Sequence, residues 1–217
     1  MKDLILYVHG RFGSAGESRH YEGLFPGCEV VGLDYSGSYP WEVGPWIRRA
    51  VEKRGLPYRS VSIAANSIGA YYCLHAGVDG LIKKAFFISP IVDMEGLITG
   101  LMERHGVSEE ELERRGSITL PGGETLSHRY LRFVREHPIS WNVPTHILYG
   151  GRDEMTPRKA IEAFAAAHGA ELTIYPEGEH WFHTPEQMRF LDEWIIKSAG
   201  GQASAAGKGA DNEDSRL

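Results

Sequence analysis

Cysteine is nearly absent from these 217 residues. The two that occur, Cys28 and Cys73, sit in apolar stretches and not in a spaced framework, which excludes a disulfide-stapled scaffold and fits buried thiols in a reducing compartment. No run of roughly 18 apolar residues occurs either, so no segment reads as a membrane span. Met1 to Gly10 carries one lysine, a short apolar run and no small-residue cleavage pattern. It reads as a strand and not as a signal peptide, and a cytoplasmic location is expected. Basic clusters interleaved with aromatics are missing, and the formal charge is −6. That balance speaks against a nucleic-acid or anionic-membrane partner and leaves a small-molecule substrate as the expectation. The glycine-rich loop Arg11 to Ser18 has neither the lysine of a P-loop nor the spacing of a dinucleotide fingerprint. His9, His180 and His183 show no zinc-protease spacing and no cysteine accompanies them, so neither a metal nor a cofactor is expected.

What is present is a β-then-α rhythm. With 42% hydrophobic residues the chain can bury one substantial core, and one domain is the expectation. Continuous apolar runs at Leu4 to Val8, Cys28 to Leu33, Ser60 to Asn66, Ala85 to Ile88, His146 to Tyr149 and Glu171 to Tyr175 suit strands covered on both faces. Helical patterns separate them, at Trp41 to Lys53 with Trp46, Ile47, Ala50 and Val51 on one face, at Ile68 to Ala76, from Thr156-Pro157 to His168, and from Thr184 onward. Such alternation implies right-handed crossovers and a parallel sheet, with ligands bound outside the carboxyl ends of the strands. Between Ile91 and Asn142 the rhythm breaks into short helical patterns without a strand. Asp93 and Ser108 are placed as helix caps there, and a third helix is expected over Leu126 to Glu136. This insertion is expected to form a small cap. From Ser198 to Leu217 no periodicity remains, and a disordered tail is expected.

One pentapeptide carries chemistry. Ala65-Asn66-Ser67-Ile68-Gly69 follows an apolar strand and opens a helix, with small residues two before and two after the serine, which is the layout of a nucleophile elbow. The competing reading is a buried strand that ends at a serine helix cap. Three strand ends beyond the elbow also hold polar residues: His9-Gly10, Gly150-Gly151-Arg152-Asp153, and Gly178-Glu179-His180.

In that order of nucleophile, acid and histidine, the chain from Leu4 to about Lys197 resembles the α/β-hydrolase superfamily. The resemblance implies an α/β fold: a mostly parallel sheet with helices on both faces, and a small helical cap over 91–142 inserted after the strand at Ala85 to Ile88. The domain then spans 1–197 and the tail 198–217. Ala65 departs from the usual elbow glycine. No leading β-hairpin precedes the first parallel strand, so a small sheet of about six strands is expected.

The implied activity is a serine hydrolase of the carboxylesterase kind, acting on a small ester, thioester or amide through an acyl-enzyme. Ser67 is the expected nucleophile, His180 its general base and Asp153 the acid that orients the imidazole. The backbone N–H of Ile68 and that of Arg11, or of Phe12 if the turn is one residue longer, are expected to form the oxyanion hole. His183 competes with His180 for the base and Asp93 with Asp153 for the acid. His9 is read as ordering its loop and Asp34 as structural. Trp141, Trp181 and Phe182 are placed near the mouth, where they would favour an apolar acyl or alcohol group; for Trp181 and Phe182 packing in the core is an equal reading. The alternatives are a non-catalytic ligand-binding or scaffold protein on the same fold, or an acyltransferase.

Overall fold

The computed structural model describes residues 1–200. Strand β1 (Asp3–Val8) is followed by a 3-10 turn at Ala15–Glu17, one helical turn α1 (Ser18–Tyr21) and β2 (Cys28–Gly32). Helix α2 (Pro40–Arg54), β3 (Val61–Asn66), α3 (Ile68–Leu74) and β4 (Ala85–Ile88) come next. The insertion holds α4 (Met94–Arg104), α5 (Glu109–Arg115), β5 (Ser117–Thr119), β6 (Thr125–Ser127) and α6 (His128–Glu136). Strand β7 (Thr145–Gly150), α7 (Arg158–His168), β8 (Glu171–Tyr175) and α8 (Pro185–Ser198) follow it.

Six strands form one sheet in the order β2-β1-β3-β4-β7-β8, every pairing parallel. The first connection steps one way along the sheet and the later ones step the other way. With right-handed crossovers, that reversal puts α1 on one face and α2, α3 and α7 on the opposite face. The pleat agrees, because alternate side chains of a strand point to opposite faces. Leu4, Leu6 and Val8 of β1 pack with Ile47, Tyr71 and Ile161. Ile5 and Tyr7 of the same strand pack with Tyr21, Leu191, Trp194 and Ile195 from α1 and α8. A strand buried on both sides must be apolar at every position, which is why β1 shows no alternation in sequence. Each such side chain contributes about 1.5–3 kcal/mol by leaving water.

The caps follow their residues. Asp93 accepts from the Gly96 N–H at 2.8 Å, Ser108 from Glu111 at 3.1 Å and Thr184 from Gln187 at 3.3 Å. Thr156-Pro157 reads in sequence as the N-cap and first residue of α7, but Thr156 does not cap it. It is buried, its Oγ1 donates to the Pro90 carbonyl at 3.2 Å, and the helix starts after Pro157. Trp46, expected on the buried face of α2, is 52% exposed, because Val43, Ile47, Ala50 and Val51 already define that face. Cys73 is buried but Cys28, on the edge strand β2, is only partly covered.

The insertion departs from an all-helical reading. Ser117–Thr119 and Thr125–Ser127 pair antiparallel, so Leu126 belongs to a strand and the third helix starts at His128. The turn between them is closed by Gly123 N–H to the Leu120 carbonyl at 2.9 Å, with Gly123 at φ 86. Pro121-Gly122-Gly123 is a turn signal, but strands of three residues are too short to display alternation. The tail expected over 198–217 begins inside the last turn of α8, and residues 201–217 lie outside the described residues. Among the described residues no helix is long and apolar enough to cross a membrane.

Candidate active site

Strand order reverses between β1 and β3, and the carboxyl ends of that pair form the crevice where parallel α/β sheets bind ligands. Ser67 stands there. Its backbone is at φ 53, ψ −122, a region that side-chain-bearing residues rarely enter. The conformation is held from both sides. The Ser67 N–H donates to Ile88 O at 3.0 Å, and its carbonyl accepts from Ala70 and Ile91 at 3.1 and 3.2 Å. The serine caps nothing: its side chain makes no bond to α3 and its backbone is not extended. Instead Ser67 Oγ lies 2.8 Å from His180 Nε2.

The small residues around Ser67 have a measurable reason. A Cβ on Gly69 would lie 2.4 Å from the His9 carbonyl oxygen and 2.6 Å from that of Val8, so α3 approaches the end of β1 as closely as backbone allows. Ala65, in β3 beside Val8 and Phe87, is fully buried and its methyl group is accommodated.

His180 and Asp153 reach this point from β8 and β7. His180 Nδ1 lies 2.7 Å from Asp153 Oδ2, and the Asp153 side chain is wholly buried while that of His180 is 17% exposed. A carboxylate only accepts, so Nδ1 carries the proton and Nε2 is left as the acceptor facing Ser67. The other carboxylate oxygen accepts from the Met155 and Thr156 N–H groups at 2.8 and 3.0 Å. Burial of Asp153 is thereby offset by three donors.

The acid and base loops are fastened to each other by backbone. Gly151 N–H donates to Tyr175 O and Arg152 N–H to Gly178 O, each at 2.8 Å. A Cβ on Gly150 would come within 2.5 Å of Glu179 O, so glycine there sets how closely the loops meet. The Arg152 guanidinium pairs with Glu177 across the same seam.

His183 points elsewhere: its Nδ1 is 2.8 Å from the Trp181 carbonyl and its ring stacks on Trp181. Asp93 is spent on capping α4. His9 Nδ1 donates to Gly10 O at 2.8 Å and its ring stacks on Tyr35, whose hydroxyl donates to His9 O at 2.8 Å. Asp34 is exposed. The imidazoles of His9, His180 and His183 thus face different partners, and among the described residues no three metal-ligating side chains converge.

The loop after β1 turns at Gly10 to Gly13, closed by a 3.1 Å hydrogen bond, with Phe12 at φ 63. Among the described residues the N–H groups of Arg11, Phe12 and Ile68 meet no acceptor. All three residues line a cavity of about 560 Å³ that includes Ser67. Its roof comes from the insertion, through Met94, Leu97, Ile98 and Leu101 of α4, the Gly123 to Leu126 hairpin and Tyr130 of α6. Trp141, Trp181 and Phe182 do not line it. Trp141 is 2% exposed and packs under Phe87, Phe182 is 6% exposed in the opposite core, and Trp181 is 70% exposed. The cavity's aromatics are Phe12, Tyr35, Tyr39, Tyr72 and Tyr130. Tyr35 was legible in principle, because it follows Leu33 by two residues at a strand's carboxyl end.

The sheet order, the crevice and the insertion after β4 define the α/β-hydrolase fold, and this chain has it. It is similar to mouse alpha/beta hydrolase domain-containing protein 10, at 17% identity and TM-score 0.72 over 91% of this chain and 89% of that one. It is similar also to Est1E from Butyrivibrio proteoclasticus, solved with ferulic acid bound, at 18% identity and TM-score 0.73 over 90% and 87%. A soluble variant of monoglyceride lipase from Saccharomyces cerevisiae, in complex with a substrate analog, matches at 13% identity and TM-score 0.64 over 92% and 87%. No family model matches the sequence, and no curated protein does.

Proposed function

We propose that this protein is a serine hydrolase that cleaves a small carboxylic ester through an acyl-enzyme on Ser67. The observation that carries the reading is the unbroken chain Ser67 Oγ, His180 and Asp153, with links of 2.8 and 2.7 Å, opening into a cavity. Ser67 Oγ attacks the carbonyl carbon while His180 Nε2 takes its proton, and Asp153 holds the Nδ1–H and stabilises the imidazolium. The Ile68 N–H and that of Arg11 or Phe12 receive the oxyanion. Losing one such donor costs roughly 3–4 kcal/mol of transition-state stabilisation. His180 then returns the proton to the departing alcohol. Water enters, gives its proton to Nε2 and adds to the acyl carbon; collapse frees the acid and restores the Ser67 hydroxyl. A cavity of about 560 Å³ with mostly uncharged walls suits an apolar ester better than an ionic one. The likeness to a monoglyceride lipase agrees with acyl-ester chemistry by analogy of fold.

An alkyl fluorophosphonate tests this directly. It is expected to label wild-type protein at Ser67, mapped by peptide mass spectrometry, and to leave Ser67→Ala unlabelled. A folded wild type that stays unlabelled would overturn the proposal and favour a ligand-binding role.

A further inference from the structure

One residue that lines the cavity beside Ser67 carries a buried polar group with no partner among the described residues. Tyr130, in the first turn of α6, is 8% exposed and lines the cavity, and its hydroxyl meets no hydrogen-bonding atom among the described residues. Its ring is fixed in place. Tyr39 and Trp41 meet it edge-on at 5.3 and 5.7 Å, and Ser127 Oγ holds its backbone N–H at 3.3 Å. A buried hydroxyl left unpaired is costly, and on a cavity wall a ligand can supply the missing bond.

The surroundings narrow the chemistry of that ligand. Burial holds the phenol protonated far above its ordinary range, so it acts as a neutral donor and acceptor. Aliphatic side chains of α4 form the roof, and the lining residues with a full formal charge, Arg11 and Glu124, lie 4.0 Å from each other at the rim. A carboxylate or ammonium group beneath the roof would lose its hydration without gaining a counter-ion. A purely hydrocarbon group would leave the phenol unpaired.

We infer that the cavity takes an ester whose covered portion is apolar but carries one uncharged oxygen, as hydroxyl, ether or carbonyl, and that Tyr130 binds that oxygen. The inference rests on reading this cavity as the substrate site, yet its test needs no turnover.

Ser67→Ala protein is titrated with two matched ester pairs: methyl levulinate against methyl isocaproate, and ethoxyethyl butyrate against pentyl butyrate. In each pair a carbonyl or ether oxygen is replaced by carbon of similar shape. For at least one pair, adding Tyr130→Phe is expected to lower the affinity of the oxygenated ester relative to its hydrocarbon partner by about ten-fold. Ratios that Tyr130→Phe leaves unchanged in both pairs, or no binding of any of the four esters, overturn the inference. The ligand-free Tyr130→Phe protein is expected to melt no lower than its parent, because the hydroxyl makes no hydrogen bond among the described residues. A midpoint several degrees lower means the hydroxyl is bonded within the protein, and also overturns it. Fluorophosphonate labelling without the binding preference removes this inference alone, and the preference without labelling removes the hydrolase reading alone.

Discussion

Ser67 occupies a backbone conformation that costs of order 1–3 kcal/mol, and three hydrogen bonds to its own N–H and carbonyl hold it there. The strain lifts the hydroxyl out of line with α3, where a cap would sit, and toward His180. Small residues make this possible, and the pattern was legible for that reason: only glycine fits at position 69. Gly69→Ala places a Cβ 2.4 Å from one backbone oxygen and 2.6 Å from another, neither of which can rotate away. It is expected to lower the unfolding free energy by about 1–3 kcal/mol in urea titration and to slow fluorophosphonate labelling of Ser67. A variant with wild-type stability and labelling would show that the elbow has room to spare. The identities of the cavity tyrosines were less legible, because a tyrosine on a helix face reads equally well as core.

Among the elements, the joint between α3 and the insertion has a pH dependence built into it. His75 ends α3, with its ring between Tyr71 at 4.6 Å and Phe133 of α6 at 5.5 Å, and its buried Nε2 meets no partner among the described residues. Burial, reinforced by the nearby His137, pushes its pKa down to about 4. The folded-state value lies below the unfolded one, so the unfolded chain takes up the proton first. The stabilisation is therefore complete above about pH 6.5 and is lost as pH falls toward about 4. Allowing for the ring's partial exposure, the loss is on the order of 2 kcal/mol. His75→Phe is expected to flatten this slope: between about pH 7 and 4.5 its urea midpoint should fall less than that of the wild type. Equal falls would assign the acid sensitivity to other groups. Helix ends were readable here because Asp93, Ser108 and Thr184 announce them with a side chain. The β5–β6 hairpin and the start of α6 were not, because pairing between two three-residue strands leaves no local period.

For the molecule as a whole, the cavity is assembled from segments far apart in the chain: the loop after β1, the elbow, α4, the hairpin and α6. An insertion this small covers limited volume, about 560 Å³. A panel of p-nitrophenyl esters of increasing length is therefore expected to give the highest kcat/KM with short to medium acyl chains and a decline beyond them. Best turnover on long chains would mean that the roof opens or that the acyl group leaves along another path. The exposed Phe12 and Met155 at the mouth, at 92% and 45% exposure, lie where such a path would run.

Local chemistry determined much of this protein from the sequence alone. Apolar runs too continuous for a half-exposed strand required a covered parallel sheet, and Ser67, Asp153 and His180 at three strand ends fell on one edge of it because all parallel strands end on the same side. Tertiary structure alone decided the rest. It turned the His180 imidazole toward Ser67 and that of His183 toward Trp181. It also sent Trp141 and Phe182 into the core and brought Tyr130 to the cavity wall. Those outcomes depend on how the insertion docks on the sheet, through contacts between residues distant in sequence, which no pattern within a single segment encodes.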